Sequence, residues 1–109
     1  MLLHIDVVNK VATFQKRDGC IVCGNSGYQI EFNLDSDWNK VTNAADLKAV
    51  FIWDGNPNGN PTYVQIDEKM CDVPIIKNAE KVIVGVVAEN TGLVTTGTEI
   101  PCKKSILCK

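Results

Sequence analysis

The amino-acid sequence predicts an all-β protein, a single domain over residues 1–109 folded as an antiparallel β-sandwich of immunoglobulin-like or jelly-roll-like type. Three observations predict this class. Apolar residues recur mostly with period two, turn-forming residues separate the short apolar runs, and no long helical pattern alternates with them. The length of 109 residues suits one hydrophobic core. We therefore expect about eight short strands and at most one short helical turn.

Residues 28–34, with the sequence YQIEFNL, have the clearest strand pattern. Their apolar and polar residues alternate without a break. A strand places the apolar residues on one face, whereas a helix would scatter them around its circumference. The apolar positions are Tyr28, Ile30, Phe32 and Leu34.

The other apolar runs are short and rich in β-branched and aromatic residues, which favours strands. They cover residues 2–8, 11–14, 20–23, 49–53, 62–66, 71–76, 81–88 and 95–107. Turn formers separate them, including Asn9-Lys10, Asp18-Gly19 and the sequence DGNPNGNP at 54–61. Pro74 indicates a sheet edge or a bulge, because proline cannot donate to a strand ladder.

Two segments have a more specific pattern. Residues 81–88, KVIVGVVA, are apolar at both parities, which predicts a central strand covered on both faces. Gly85 within it indicates a bulge or the close approach of another backbone. Only residues 40–48 have helical character, and Asn43 is positioned to cap a single turn there.

Composition and charge exclude several classes of function. The formal net charge is −2 and the only dense basic run is Lys103-Lys104, so the chain lacks the basic surface that nucleic-acid binding requires. No apolar stretch approaches the roughly 20 residues of a membrane span. The N-terminal sequence lacks the features of a secretory signal. We therefore expect synthesis in a cytoplasm, with no membrane or nucleic-acid partner.

The five cysteines form an odd set, which in a reducing compartment favours free thiols. Cys20 and Cys23, in the sequence CIVCG, also resemble half of a zinc knuckle, but no second half with that spacing follows. In a strand, side chains three positions apart point to opposite faces. This favours buried thiols in a strand, with a zinc-stabilised binding domain as the alternative.

A search for catalytic residues gives no candidate set. His4 is the only histidine and has no partner that the sequence identifies, so we interpret it as structural. The acidic sequence DSDW at 35–38 lacks the other ligands of a calcium loop, and we interpret it as a turn with Trp38 folded onto the core. Phosphate-binding loops are absent. The sequence predicts no catalytic, cofactor-binding or metal-binding residue, and no enzyme.

Two aromatic residues leave a binding role open. Trp53 and Tyr63 flank the loop DGNPNGNP, and together they would grip a carbohydrate of a host surface. Aromatic residues in small β-domains more often belong to the core, so packing is the favoured interpretation.

Most of the chain, residues 18–108, resembles a small β-module of phages and prophages of Gram-positive bacteria. The segments that carry the resemblance are CIVCGNSGYQIEFNLDSDW, LKAVFIW, YVQI, CDVPII and VIVGVVAENTGLVTTGTEIPCKKSIL. That module occurs among tail and baseplate proteins, including N-terminal parts of upper-baseplate and receptor-binding components. Its shared positions include Trp38, Phe51, Pro74 and Gly85, which are core positions rather than a catalytic signature.

The resemblance implies a non-enzymatic structural protein of the virion, an adaptor or assembly module of the tail or baseplate. It implies homo-oligomers and other tail or baseplate proteins as partners, and no cofactor. We expect such a protein to act by symmetric self-association and by docking. Residues 105–108 form an apolar stretch near the end of the sequence and are a further docking candidate.

Overall fold

The computed structural model describes residues 1–104 and consists of two β-sheets packed together. The ten strands of this part of the chain are β1 (Leu2–Val8), β2 (Val11–Phe14), β3 (Ile21–Val22), β4 (Gln29–Leu34), β5 (Leu47–Ile52), β6 (Thr62–Gln65), β7 (Met70–Asp72), β8 (Lys81–Ala88), β9 (Leu93–Val94) and β10 (Thr98–Lys103). Short 3-10 turns lie at Lys16–Asp18, Ser36–Lys40, Ala44–Asp46 and Pro57–Gly59. The described residues thus contain more strands and more helical turns than the sequence predicted.

One sheet has four strands in the order β2-β1-β4-β7, and the other has six, in the order β3-β10-β8-β5-β6 with β9 also paired to β8. This confirms an all-β, sandwich-like fold. The sheets are mixed, however, because β1 pairs with β4 and β3 with β10 in parallel. After the β1–β2 hairpin the chain visits the other sheet at β3, so β4 returns beside β1 in the same direction.

The core lies between the inward faces of the two sheets. Phe32 of β4 and Phe51 of β5 are its largest fully buried side chains. Trp38, in the turn Ser36–Lys40, belongs to the same core and is 5% exposed. The predicted interpretation of DSDW is therefore confirmed: the Asp35 side chain caps the turn by accepting a hydrogen bond from the Asp37 N–H at 3.3 Å.

Several local predictions are also confirmed. The β1–β2 hairpin turns at Asn9 and Lys10, which have φ values of 53° and 64°, as its tight two-residue turn requires. Asn43 caps the turn Ala44–Asp46, since its Oδ1 accepts a hydrogen bond from the Ala45 N–H at 3.1 Å. The strand predicted over residues 71–76 is shorter than expected, since β7, the edge strand of the four-stranded sheet, ends at Asp72 and Pro74 lies outside it.

Threonine hydroxyls join the two sheets along the edge strand β2. The outward N–H of Ala12 donates to Thr96 Oγ1 at 3.2 Å, and that of Phe14 donates to Thr98 Oγ1 at 3.0 Å. Thr98 is the first residue of β10 in the six-stranded sheet, and Thr96 lies in the connection just before it. These bonds satisfy donors that an unprotected edge would offer to another chain.

Candidate docking surface

The two outer faces of the sandwich differ in character. The four-stranded sheet directs polar side chains outward, among them His4 and Asp6 from β1 and Glu31 from β4. The six-stranded sheet directs mainly apolar side chains outward from β5 and β8, such as Val50 and Ile83. The outer face of the four-stranded sheet also exposes Val8 and Val11 and is mixed in character, whereas that of the six-stranded sheet is mainly apolar.

We call the second surface the apolar face and define it by Val50, Ile52, Tyr63, Ile83, Val87 and Val94. Three of these side chains are exposed: Ile52 by 44%, Tyr63 by 56% and Val94 by 58%. The strand register makes the set contiguous. Val50 lies opposite Tyr63 on one neighbouring strand and opposite Gly85 on the other, and Val87 lies opposite Val94.

The prediction that residues 81–88 form a central strand is confirmed, but its covering on both faces is wrong. β8 lies between β10 and β5, and its inward residues are buried. Its outward residues Ile83 and Val87 are only half-buried, because the four-stranded sheet covers one face alone. The sequence shows that both the odd-numbered and the even-numbered residues of 81–88 are mainly apolar. In the structure one set faces the core, and the other set forms an outer apolar surface rather than a second buried face.

Two glycines form a groove in the apolar face. A Cβ on Gly85 would lie 3.1 Å from Thr95 Oγ1, so the predicted close approach at Gly85 is confirmed. A Cβ on Gly97 would overlap Ile83 Cγ2. The resulting depression has a volume of about 400 Å³ and is bordered by Val50, Tyr63, Ile83 and Val94, among others.

Ion pairs lie at both ends of the apolar face. Lys48 Nζ is 2.6 Å from Glu89 Oε1, and Lys81 Nζ is 3.0 Å from Glu99 Oε1. The hydrogen bond and charge of Glu99 raise the pKa of Lys81. The charges of Asp54 and Glu80 act on Lys81 as well, so the Lys81 end of the face carries more negative than positive charge.

His4 has carboxylate partners that the sequence did not reveal. Asp18 Oδ2 lies 3.0 Å from His4 Nδ1 and also accepts the backbone N–H of His4 at 2.8 Å. Glu31 Oε2 lies 3.7 Å from His4 Nε2. The adjoining cavity, of about 480 Å³, is lined by His4, Asp6, Gln15, Arg17, Glu31, Phe32, Asn33 and Lys69, a set without a serine, threonine or cysteine nucleophile.

The aromatic pair of the carbohydrate alternative is not brought together, and the favoured interpretation, packing in the core, holds for the half-buried Trp53 but is wrong for Tyr63, which is 56% exposed. Trp53 lines a cavity of about 330 Å³ whose lining includes Asp54 and Ile75, whereas Tyr63 lines the groove of the apolar face. The loop between them is held by Asn56, whose Oδ1 accepts the Trp53 N–H at 2.7 Å. The two aromatic rings therefore offer no common site.

Cys20 and Cys23 flank the short strand β3, which covers only the two residues between them. Cys23 is fully buried and its thiol contacts the carbonyl oxygen of Ala79 at 3.4 Å, while Cys20 is half-buried. Cys71 and Cys102 are buried, and burial raises the pKa of each thiol to about 12. Within residues 1–104 no group of three or more potential ligands is placed to hold a metal ion.

No helix among the described residues is long and apolar enough to cross a membrane. The apolar stretch at 105–108, which includes the fifth cysteine, lies outside the described residues. No protein family, no curated protein and no solved structure matches the chain. The resemblance to a phage module accordingly stays a prediction.

Proposed function

We propose that the chain is a non-enzymatic structural protein of a phage or prophage virion, an adaptor of the tail or baseplate that acts by self-association and docking. The observation that carries the proposal is the apolar face. It extends over four neighbouring strands and about three rows of outward side chains, which corresponds to roughly 400 Å² at ordinary strand spacing. A contiguous apolar patch of this size is within the range of the largest patch on a typical monomer, which is often functional.

The distribution of polar groups agrees with binding rather than catalysis. The titratable cluster around His4 contains an imidazole and two carboxylates, and the lining of its cavity has no serine, threonine or cysteine. The apolar face, in contrast, has exposed aliphatic and aromatic side chains inside a rim of ion pairs. An apolar centre within a polar rim is the usual anatomy of a protein–protein interface.

The assignment to a virion derives from the resemblance of residues 18–108. The positions that carry the resemblance have structural roles here. Trp38 and Phe51 are buried, Pro74 follows an edge strand, and Gly85 admits the close approach of Thr95. Such roles support an assembly protein, since none of these residues is placed for chemistry.

The test is the protein content of purified phage particles. Particles induced from a lysogen that encodes this chain are purified on a density gradient, and their proteins are quantified by mass spectrometry. We expect the chain at a fixed copy number per particle, and antibody labelling on the tail tip in electron micrographs. Its absence from particles that contain the other tail proteins would exclude the proposed function.

A second arm of the test addresses the surface. In the same lysogen, Ile52→Lys places a charge on the apolar face, and Asn33→Lys places the same charge on the exposed outer face of the other sheet. We expect the first variant to be lost from particles and the second to be incorporated. Equal incorporation of both variants would show that the apolar face is not the docking surface.

A further inference from the structure

We propose that a second copy of this chain covers the apolar face, packed face to face about a two-fold axis that runs along β5 over Val50. In this arrangement Tyr63 of each copy fills the groove at Gly85 of the other. The inference rests on the proposed function, because it names the partner of the same surface. It follows from the strand register, the rim charges and the dimensions of the face.

The register places a projection and a depression in one row. Tyr63 of β6 and Gly85 of β8 both lie opposite Val50 of β5, one on each side of it. Each is therefore about 4.8 Å from β5, in opposite directions. A two-fold axis along β5 exchanges the two sides, so Tyr63 of one copy comes to lie over Gly85 of the other.

The shapes of the two groups suit this exchange. Tyr63 is 56% exposed and stands out from β6. Gly85 has no side chain, and the groove beside it has a volume of about 400 Å³. Packed sheets usually cross at about 30°. The two copies cross at this angle if the two-fold axis is tilted by half of it away from the direction of β5. This tilt moves Tyr63 by only about 1–3 Å along the groove of the other copy.

The rim charges permit contact between identical faces. Lys48 is paired with Glu89 at one end of the face, and Lys81 is paired with Glu99 at the other. An axis along β5 brings each end of the face against the same end of the other copy, so each ion pair faces an identical pair, and the carboxylates Asp54 and Glu80 near Lys81 leave that end with an excess of negative charge. A rim of single sign would instead repel its copy and favour an oppositely charged partner.

The dimensions of the molecule are sufficient for a stable dimer. A standard interface buries about 800 Å² on each partner. The molecule measures 44 × 32 × 21 Å along its principal axes, so its broad face exceeds that area. The apolar face would form the centre of the interface, and the ion pairs and polar strand ends would form its rim.

Sedimentation velocity over a range of concentrations tests the inference with three variants. Tyr63→Ser removes the projecting ring, Tyr63→Phe retains it, and Ile75→Ser removes a side chain of similar exposure, 52%, outside the apolar face. We expect a wild-type dimer whose dissociation constant rises at least tenfold in Tyr63→Ser and stays within about threefold in the other two. Tryptophan fluorescence checks that each variant is folded.

A crosslinking measurement locates the axis. Val50→Cys places two thiols on opposite sides of the interface with Cα atoms about 10 Å apart, too far for a disulfide but within reach of a short bismaleimide, whose two maleimides each add one thiol and so join the subunits. Ile75→Cys and the wild type serve as controls for the native thiols. Crosslinking of Val50→Cys above both controls supports the axis, and crosslinking equal to the controls contradicts it.

The other outcomes separate this inference from the proposed function. A wild-type monomer, a trimer or a larger ring would overturn the two-fold packing, as would a dimer that Tyr63→Ser leaves unchanged. If the monomer is nevertheless incorporated into particles and Ile52→Lys is not, another virion protein covers the apolar face and the proposed function stands. If the chain forms a dimer whose dissociation constant changes in the variants as expected, but the chain is absent from purified particles, the inference is supported and the virion role is excluded.

Discussion

Tyr63 and Gly85 lie in one row across the six-stranded sheet, on opposite sides of Val50. The largest exposed side chain of the apolar face and a glycine that lines its groove thus lie on opposite sides of β5. Interior packing alone does not require this relationship, because all three residues face away from the core. It connects the strand register directly to a mode of self-association.

The groove depends on the absence of a side chain at Gly97. Gly97→Ala would bring a Cβ into overlap with Ile83 Cγ2, so we expect a loss of about 1–3 kcal/mol in the free energy of unfolding. Chemical denaturation measures this loss. In an Ile83→Ala background the overlapping group is gone, and the cost of Gly97→Ala should fall by at least half. An equal cost in both backgrounds would show that another contact of Gly97 is responsible.

The threonine link between the sheets should contribute measurably to stability. Thr98→Val keeps the side-chain shape but removes the oxygen that accepts the Phe14 N–H at 3.0 Å. We expect a destabilisation of about 1–2 kcal/mol and faster hydrogen exchange at the Phe14 amide. Thr13→Val, on the exposed face of the same edge strand, is the matched control and should change neither quantity. Unchanged exchange at Phe14 in Thr98→Val would contradict the assigned hydrogen bond.

Asp18 should be the more important of the two carboxylates near His4. Its side chain is only 13% exposed. It accepts a hydrogen bond from the backbone N–H of His4 and lies at hydrogen-bond distance from the ring nitrogen Nδ1. Asp18→Ala should therefore lower the free energy of unfolding by about 1–3 kcal/mol. Glu31→Gln alters a more exposed contact at 3.7 Å and should cost under about 0.5 kcal/mol. Equal effects of the two substitutions in urea unfolding would refute this ranking.

Alkaline pH should destabilise the protein through its buried thiols. Burial raises the pKa of Cys71 from 9.0 to about 12, with a smaller effect of the Asp72 charge, and burial likewise raises that of Cys102. The folded thiols hold their protons where the unfolded ones lose them, so stability is intact below about pH 9 and falls between pH 9 and 12. The slope is at most about 1.4 kcal/mol per pH unit for each thiol.

Denaturant unfolding at pH 8, 9 and 10 measures this slope. Cys71→Ala will be less stable at every pH, because it leaves a cavity, but its stability should decline less steeply than that of the wild type. The comparison of slopes removes contributions from lysine and tyrosine titration that both proteins share. Parallel slopes would mean that Cys71 does not contribute to the pH dependence.

Much of the fold could be predicted from local patterns. The alternation over residues 28–34 identified β4, the turn formers Asn9-Lys10 identified the first hairpin, and Gly85 correctly indicated a close approach of backbone. Each of these features depends on neighbouring residues alone. The two parallel pairings could not be predicted, since they depend on the order in which the chain visits the two sheets.

The candidate surface was harder to predict than the fold. The sequence of residues 81–88 shows that both parities are apolar, but it does not show how many layers cover them. Tyr63 and Gly85 are separated by 21 intervening residues and become neighbours of Val50 only through the sheet register. The partners of His4 are hidden for the same reason, because Asp18 and Glu31 approach it from different elements.

Native mass spectrometry under reducing conditions, on the wild type, on Ile52→Lys and on Asn33→Lys, tests self-association through the apolar face most directly. We predict a metal-free homodimer for the wild type and for Asn33→Lys, whose substitution lies on the outer face of the four-stranded sheet, and a monomer for Ile52→Lys. A wild-type monomer at tens of micromolar, or a dimer that Ile52→Lys leaves intact, would contradict self-association through this face.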